Sequence, residues 1–156
     1  MSDYITMEGM QRLQKKILAL TEERPLVLEQ VQTARAMGDL SENAEYHAAK
    51  ERQRNLDNEL SYLNSRIAAL KIIDPSTLAK DAIRFGAFIK IKEECDAKVL
   101  NYHLVGPDEV YDRDDGIVQV SIASPLGKAM IGKKVDEVFV VKAPKGEFKY
   151  KVLEIK

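Results

Sequence analysis

Two apolar stripes with heptad spacing occupy the first half of the chain, and they constrain its fold more than any other feature. In each stripe, side chains recur at alternating steps of three and four residues, which keeps one face of an α-helix turned toward a partner helix. The link at residues 37–40 is too short for parallel helices, so the sequence predicts an antiparallel helical hairpin. The first stripe consists of Met10, Leu13, Ile17, Leu20, Arg24, Val27, Val31 and Ala34, and the second of Tyr46, Ala49, Gln53, Leu56, Leu60, Leu63, Ile67 and Leu70.

Two prolines bear on the limits of these helices. Pro25 interrupts the first stripe, and because proline lacks an N–H donor and clashes with the preceding turn, we expect a kink or a break near Glu23 and Arg24. Asp74 and Pro75 are expected to stop the second helix.

The second half of the chain changes to short runs rich in Val, Ile, Phe and Tyr, separated by turn residues. The predicted strands are 83–92, 97–105, 117–122, 137–142 and 148–155, with one short helix at 125–131. The predicted fold class is α+β: an antiparallel coiled-coil hairpin (1–74), a linker (75–80) and a small, mostly antiparallel β-sheet domain with one short helix (81–156).

The overall composition excludes several classes of protein. With 45% hydrophobic and 31% charged residues the chain has enough apolar material for a core, and a net charge of -1 argues against wrapping a nucleic-acid duplex. Cys95 is the single cysteine, so no intrachain disulfide is possible and a reducing compartment is expected. Without a secretion signal or a run of roughly 20 apolar residues, we expect a cytoplasmic protein with no membrane partner.

The predicted hairpin turn carries two acids, which have two interpretations. Gly38 suits the residue after a helix end, and Asp39 with Glu42 three residues later suits a capping box for the next helix. The same two carboxylates can share a divalent ion, since Mg²⁺ typically takes only one or two protein carboxylates. Such a pair alone should bind metal weakly, and the spacing leaves both interpretations open.

The stretch ARAMGDLSENAEYHAAKERQ at residues 34–53 resembles the tip signature of the bacterial transcript cleavage factors, the Gre family. The coiled-coil half, the FGA at residues 85–87 and the SPLGKAMIGK at residues 124–133 also resemble that family's layout. The resemblance therefore covers essentially the whole chain. It implies an FKBP-like fold for the second domain.

The resemblance also implies a function. The hairpin would enter the secondary channel of bacterial RNA polymerase, where the 3′ end of backtracked nascent RNA lies. Asp39 and Glu42 would hold a Mg²⁺ ion jointly with the polymerase, and the isolated protein would bind that ion weakly or not at all. The protein would then not be an enzyme itself, but would stimulate the RNA hydrolysis of the polymerase.

Further site residues follow from the resemblance with less support from the residues alone. Arg35, Lys50 and Arg52 would hold RNA phosphates, although ordinary solvated helix charges explain them equally well. The remaining candidates support the tip or dock on the polymerase. The tip group is Gly38, Asn43, Glu45 and Tyr46, and the docking group is Ser124 and Pro125.

Several rival functions remain open or are rejected. An inhibitory relative that plugs the channel and a non-catalytic coiled-coil adaptor both remain alternatives. Nucleotide binding at residues 127–134 is rejected, because Lys134 stands where a hydroxyl is needed and a strand is predicted to follow. The two histidines, His47 and His103, lie far apart without cysteine companions, which argues against structural zinc. We expect a monomer.

Overall fold

The computed structural model describes residues 3–38, 43–111 and 113–156. The chain divides into two compact units, one formed by Met1–Gly9 with Lys71–Lys156 and the other by Met10–Leu70. Within the described residues, no helix is both long enough and apolar enough to cross a lipid bilayer.

The Met10–Leu70 unit is the predicted hairpin. Helix α1 spans Met7–Arg35 and helix α2 spans Ala44–Ala69. All sixteen stripe positions are buried or half-buried, so the heptad prediction is confirmed. Interhelical ion pairs establish the antiparallel arrangement, because Lys16 on α1 reaches Glu59 at 3.1 Å and Arg24 reaches Asp57 at 2.8 Å.

Of the kink or break expected near Glu23 and Arg24, the break is wrong, because α1 continues through Pro25, and the kink stays a prediction. The two residues before it are both held to α2: Arg52 Nε donates to Glu23 Oε1 at 2.9 Å, and Arg24 pairs with Asp57. Val27, just after the proline, is buried at 3% exposure. Packing and ion pairs around Pro25 therefore offset the loss of one backbone hydrogen bond.

The limits of the hairpin also differ from the prediction. The link between the helices covers residues 36–43 rather than 37–40. The second helix ends at Ala69, and Asp74 instead caps a short 3-10 helix (Pro75–Thr77) by accepting from the Ser76 N–H at 3.0 Å. An aspartate before proline favours such a cap as readily as a helix end, which is why the sequence misled here.

The Met1–Gly9 and Lys71–Lys156 unit contains a five-stranded sheet and a two-stranded one. In the larger sheet the strand order is β5-β4-β3-β7-β6, and β4 pairs with β5 in parallel, so the sheet is mixed rather than wholly antiparallel. The strands are β1 (Tyr4–Ile5), β2 (Lys71–Ile72), β3 (Phe88–Glu93), β4 (Val99–Val105), β5 (Val118–Ser121), β6 (Val138–Ala143) and β7 (Gly146–Ile155).

The predicted short helix is confirmed as α3 (Pro125–Met130), and it packs against β5 and β6. The first predicted strand begins at Phe88 instead of residue 83, because Gly86 adopts a positive φ of 81° in a turn before it. The parallel β1–β2 pair was not predicted, since strands of two residues are too short to show alternation.

A buried carboxylate holds the first turn of α1 in this unit. Glu109, 6% exposed in the loop after β4, accepts from the Thr6 N–H at 3.0 Å and the Gly106 N–H at 3.1 Å, and also from the Thr6 hydroxyl. Thr6 in turn caps α1 by accepting from the Gly9 N–H at 3.1 Å. A side chain at Gly9 would collide with the Glu109 carboxylate, so glycine is required there.

Replacing Glu109 by glutamine is expected to lower the free energy of unfolding by about 1–3 kcal/mol, because an amide cannot accept at both of its ends and one buried donor loses its partner. Urea denaturation of the full chain measures this loss. Glu94→Gln, at an exposed position, serves as the control and should leave stability nearly unchanged. Equal stability of the two variants would contradict the assigned role of Glu109.

Stability should also fall in mild acid, because of a half-buried histidine. His103 stacks on Phe88 with 4.0 Å between ring centroids, and burial followed by the charge of Arg113 lowers the pKa of His103 from 6.5 to about 4. Between these values the unfolded chain binds a proton that the folded chain does not, so stability decreases as pH falls from 6.5 toward 4.

The expected loss is on the order of 2 kcal/mol, since a ring that keeps some solvent contact feels only part of the burial effect. Denaturation across this pH range measures it. His103→Gln should flatten the dependence, whereas His47→Gln should preserve it. An unchanged slope in His103→Gln would show that other groups cause the acid sensitivity.

Candidate functional site at the hairpin turn

The candidate site lies in the link between the helices, at residues 36–43. The link begins in a turn in which the Met37 N–H donates to the Ala34 carbonyl at 3.1 Å. Gly38 has a φ of 121°, the positive φ that was predicted, and no described residue has an atom within 4 Å of the point that a Cβ would occupy there. Asp39 and Glu42, the two predicted metal ligands, fall outside the described residues.

Asn43 ties the two ends of this link together. Its Oδ1 accepts from the Tyr46 N–H at 3.1 Å, which caps the start of α2, and its Nδ2 donates to the Ala34 carbonyl at 2.7 Å. That carbonyl is one of the acceptors left without an intrahelical partner at the end of α1. The Asn43 side chain thus caps the start of α2 and donates a hydrogen bond to a carbonyl at the end of α1.

The capping-box prediction for Asp39 is therefore wrong: the cap of α2 is Asn43, and the helix starts at Ala44. Asparagine is as good a cap as aspartate, and here it also donates to the opposite helix, which a carboxylate cannot do. The preference of asparagine for caps is the signal that could have located this residue. Its second hydrogen bond needed the structure.

Two further predicted tip residues meet beside Asn43. The guanidinium carbon of Arg35 lies 5.8 Å from the centroid of the half-buried Tyr46 ring, close enough for a cation–π contact. Tyr46 also meets His47 edge to face, with 5.7 Å between centroids. Glu45 is exposed in the first turn of α2, where its negative charge interacts favourably with the positive end of the helix dipole.

The three predicted RNA-binding cations are in different situations. Arg35 is exposed at the end of α1, and Lys50 lies farther along α2, with its Nζ 3.5 Å from Gln53 Oε1. Arg52 bonds to Glu23 across the hairpin, and that hydrogen bond raises its pKa. The structure therefore brings Arg35 to the tip and engages Arg52 in joining the helices.

The predicted docking residues lie in the other unit and build the start of α3. Ser124 Oγ accepts from the Gly127 N–H at 3.0 Å and donates to the Ser121 carbonyl at 2.7 Å. Pro125 is exposed at the first helical position. A side chain at Gly127 would collide with the Ser121 carbonyl, so this turn is closely packed.

Among the described residues, one acidic group has ligand atoms close enough to hold a metal ion. Glu93, Cys95 and Asp96 bring theirs within 4.8 Å of one another, at a mainly exposed turn after β3. Such groups are common on protein surfaces without a metal. At the hairpin turn, the donor set of Asp39 and Glu42 suits Mg²⁺, which needs few protein carboxylates when other ligands complete its octahedron.

These observations define a class of protein in which a helical hairpin carries acids at its turn and a separate β-rich unit follows. Comparison with known families makes this specific. The family described as "Transcription elongation factor, N-terminal" matches residues 3–72, and "Transcription elongation factor, GreA/GreB, C-term" matches residues 78–156.

Two named relatives, both transcription elongation factors, agree with the two family matches. A protein of Novosphingobium aromaticivorans named transcription elongation factor GreA is 46% identical over 95% of this chain and 91% of its own. A transcription elongation factor GreB of Yersinia pestis is 42% identical over 99% of this chain and 89% of its own. The crystal structure of GreA factor homolog 1 from Thermus thermophilus is 22% identical, with a TM-score of 0.45 over 98% of this chain and 97% of that one.

The chain belongs to the GreA/GreB family of transcription elongation factors. The assignment to the Gre family made from the residues around the turn is thereby confirmed.

Proposed function

We propose that this factor inserts its hairpin into the secondary channel of bacterial RNA polymerase and stimulates the polymerase to hydrolyse backtracked nascent RNA. The observation that carries the proposal is the tied turn. Asn43 fixes both ends of a link that contains Asp39 and Glu42, at a place where no core requires acids. Membership of the GreA/GreB family supports the polymerase as the partner.

In this proposal, Asp39 and Glu42 would hold Mg²⁺ jointly with carboxylates of the polymerase. Bound ions of this kind activate water and stabilise the leaving oxygen in phosphodiester hydrolysis. The isolated chain holds the ion weakly, because two carboxylates leave most of the octahedron to water. The factor is therefore a cofactor-like partner of the polymerase rather than a nuclease.

The flanking residues orient the acids and the RNA. Arg35 and Lys50 attract the phosphates near the 3′ end, with Arg35 steadied against the Tyr46 ring. Arg52 contributes less, because Glu23 already neutralises it. Residues 81–156 form a docking domain at the rim of the channel, with contacts at Ser124 and Pro125, and one copy of the chain acts on one polymerase.

A cleavage assay on a stalled, backtracked complex tests the proposal. Adding the chain should shorten the RNA from its 3′ end only when Mg²⁺ is present, and elongation should resume when nucleotides follow. Inhibited elongation without any shortening would instead indicate a channel-plugging relative. No effect on either reaction would indicate an adaptor, and both results would overturn the proposal.

A further inference from the structure

We propose that the outward face of the five-stranded sheet binds an acidic amphipathic helix of another protein. Side chains alternate along the strands: Ile89 and Ile91 of β3 point into the core at 2% and 0% exposure, so Lys90 and Lys92 point outward. Helix α3 covers the inner face, where Met130 is fully buried in the core. Arg113 lies over Phe88 at one end of the outward face, whereas Val99, Val138 and Val140 elsewhere on it are exposed.

The centre of this face holds two lysines directly opposite each other. Lys92 of β3 is the cross-strand partner of Lys151 of β7, and Lys149 lies two residues farther along β7 on the same side. Like charges in opposed positions destabilise a sheet. Within the described ranges none of these three lysines forms an ion pair, whereas Lys90 reaches Glu154 at 3.8 Å. A negatively charged partner would remove this repulsion.

Exposed valines border the three lysines, which we call the lysine centre (Lys92, Lys149 and Lys151). Val99 of β4 stands opposite Lys92 and is 47% exposed. Val138 and Val140 of β6 stand opposite Lys151 and Lys149, at 43% and 45% exposure. The face therefore offers a cationic strip with an apolar strip along one side and an apolar residue on the other.

This pattern favours a polypeptide over a nucleic acid. A phosphate backbone would use the lysines and leave the valines in water, and base stacking needs free aromatic faces. Two aromatic residues on this face, Phe88 and His103, are already stacked on each other with 4.0 Å between centroids, and Arg113 lies 5.9 Å from the Phe88 centroid. The available chemistry is thus charge plus aliphatic surface.

A helix suits the dimensions of the face. With a diameter of about 10 Å, a helix covers two to three strands, because neighbouring strands lie about 4.8 Å apart. It can therefore contact the lysine centre and the valines of β6 at the same time. An apolar stripe would lie over Val138 and Val140, and a neighbouring row of carboxylates over the lysines. Because α3 and Ser124 lie on the opposite layer, this surface is separate from the proposed polymerase docking residues.

Fluorescence anisotropy with the full chain tests the inference. The probe is a labelled synthetic helix in which a leucine stripe is bordered by glutamates, and a single-stranded RNA oligonucleotide is titrated in parallel. Saturable binding of the helix that weakens with salt is expected. Lys92→Glu with Lys151→Glu should weaken it by at least about tenfold, as expected for close charge pairs.

Lys98→Glu with Lys145→Glu provides the matched control, because these exposed lysines lie in turns and carry the same change in charge. Val138→Ser with Val140→Ser should weaken binding of the synthetic helix but not binding of the RNA. If the glutamate pair fails to fold by circular dichroism, Lys92→Gln with Lys151→Gln carries the test. The inference is overturned if binding of the synthetic helix does not saturate, or if both pairs of lysine substitutions weaken that binding equally. It is also overturned if the RNA binds more tightly than the helix and does so through the lysine centre.

Discussion

Replacing Asp39 or Glu42 by alanine is expected to reduce stimulated cleavage of backtracked RNA on the order of 100-fold or more, because each change removes one of the two carboxylates that we propose as ligands of the shared metal. Binding to the polymerase should persist, since the stripes of both helices are untouched. Single-turnover cleavage of a defined stalled complex, together with a separate binding titration, measures both quantities.

Two other carboxylates on the hairpin serve as matched controls for this prediction. Glu29 is exposed on α1, and Glu45 is exposed one turn beyond Glu42. Glu29→Ala should stimulate cleavage as strongly as the parent chain does. Glu45→Ala should reduce stimulated cleavage by at most a few-fold, as expected from a change in local charge alone. Full activity of Asp39→Ala and Glu42→Ala would exclude the proposed metal ligands.

Asn43→Ala should produce the second large effect, a loss of stimulated cleavage on the order of 10-fold or more. The change removes two hydrogen bonds together. One is accepted from the Tyr46 N–H at 3.1 Å and caps α2, and the other is donated to the Ala34 carbonyl at 2.7 Å. Small displacements of reacting groups have large effects on rate. The loss of a helix cap should also lower the free energy of unfolding by about 1 kcal/mol.

Asn43→Asp separates the two roles of this side chain. Aspartate caps α2 as well as asparagine does, but an ionised carboxylate has no donor for the Ala34 carbonyl, so stability should be nearly restored while cleavage stays impaired. Thermal unfolding and the cleavage assay distinguish these quantities. If cleavage recovers in parallel with stability, Asn43 acts only as a cap and does not position the link.

The hairpin was predictable because its pattern is long and redundant. Sixteen positions at heptad spacing outweigh single exceptions, so Arg24 and Gln53 did not disturb the prediction. The break expected at Pro25 shows the opposite case. A local rule applied to one residue failed because interhelical ion pairs on the two preceding residues hold the helix.

Features that depend on distant residues were not accessible from the sequence. The small β1–β2 sheet depends on partners far apart in the chain, because Tyr4 pairs with Lys71. Glu109 is another example, since its bond to Thr6 crosses 103 positions. Nothing in the local pattern around Glu109 distinguishes it from an exposed loop acid.

The candidate site was reached by two routes. Spacing alone placed two carboxylates at a helical turn and could not separate a cap from a metal pair. The resemblance of the whole segment to Gre factors favoured the metal pair, and the structure then assigned the cap to Asn43. Asp39 and Glu42 lie outside the described residues, so the cleavage assay is what tests the metal pair.

The proposed function requires the hairpin turn to reach the catalytic metal of the polymerase. A nitroxide label at Met37→Cys, in a Cys95→Ser background, would report this through relaxation by Mn²⁺ bound in the polymerase active site. Met37 is 67% exposed in the link, and a label at Tyr62→Cys, 61% exposed on α2, is the control. Tyr62 lies about 25 Å along the helix from Ala44. In a backtracked complex, strong relaxation of the Met37 label with little at Tyr62 is predicted, and equal or absent relaxation at both sites would contradict the account.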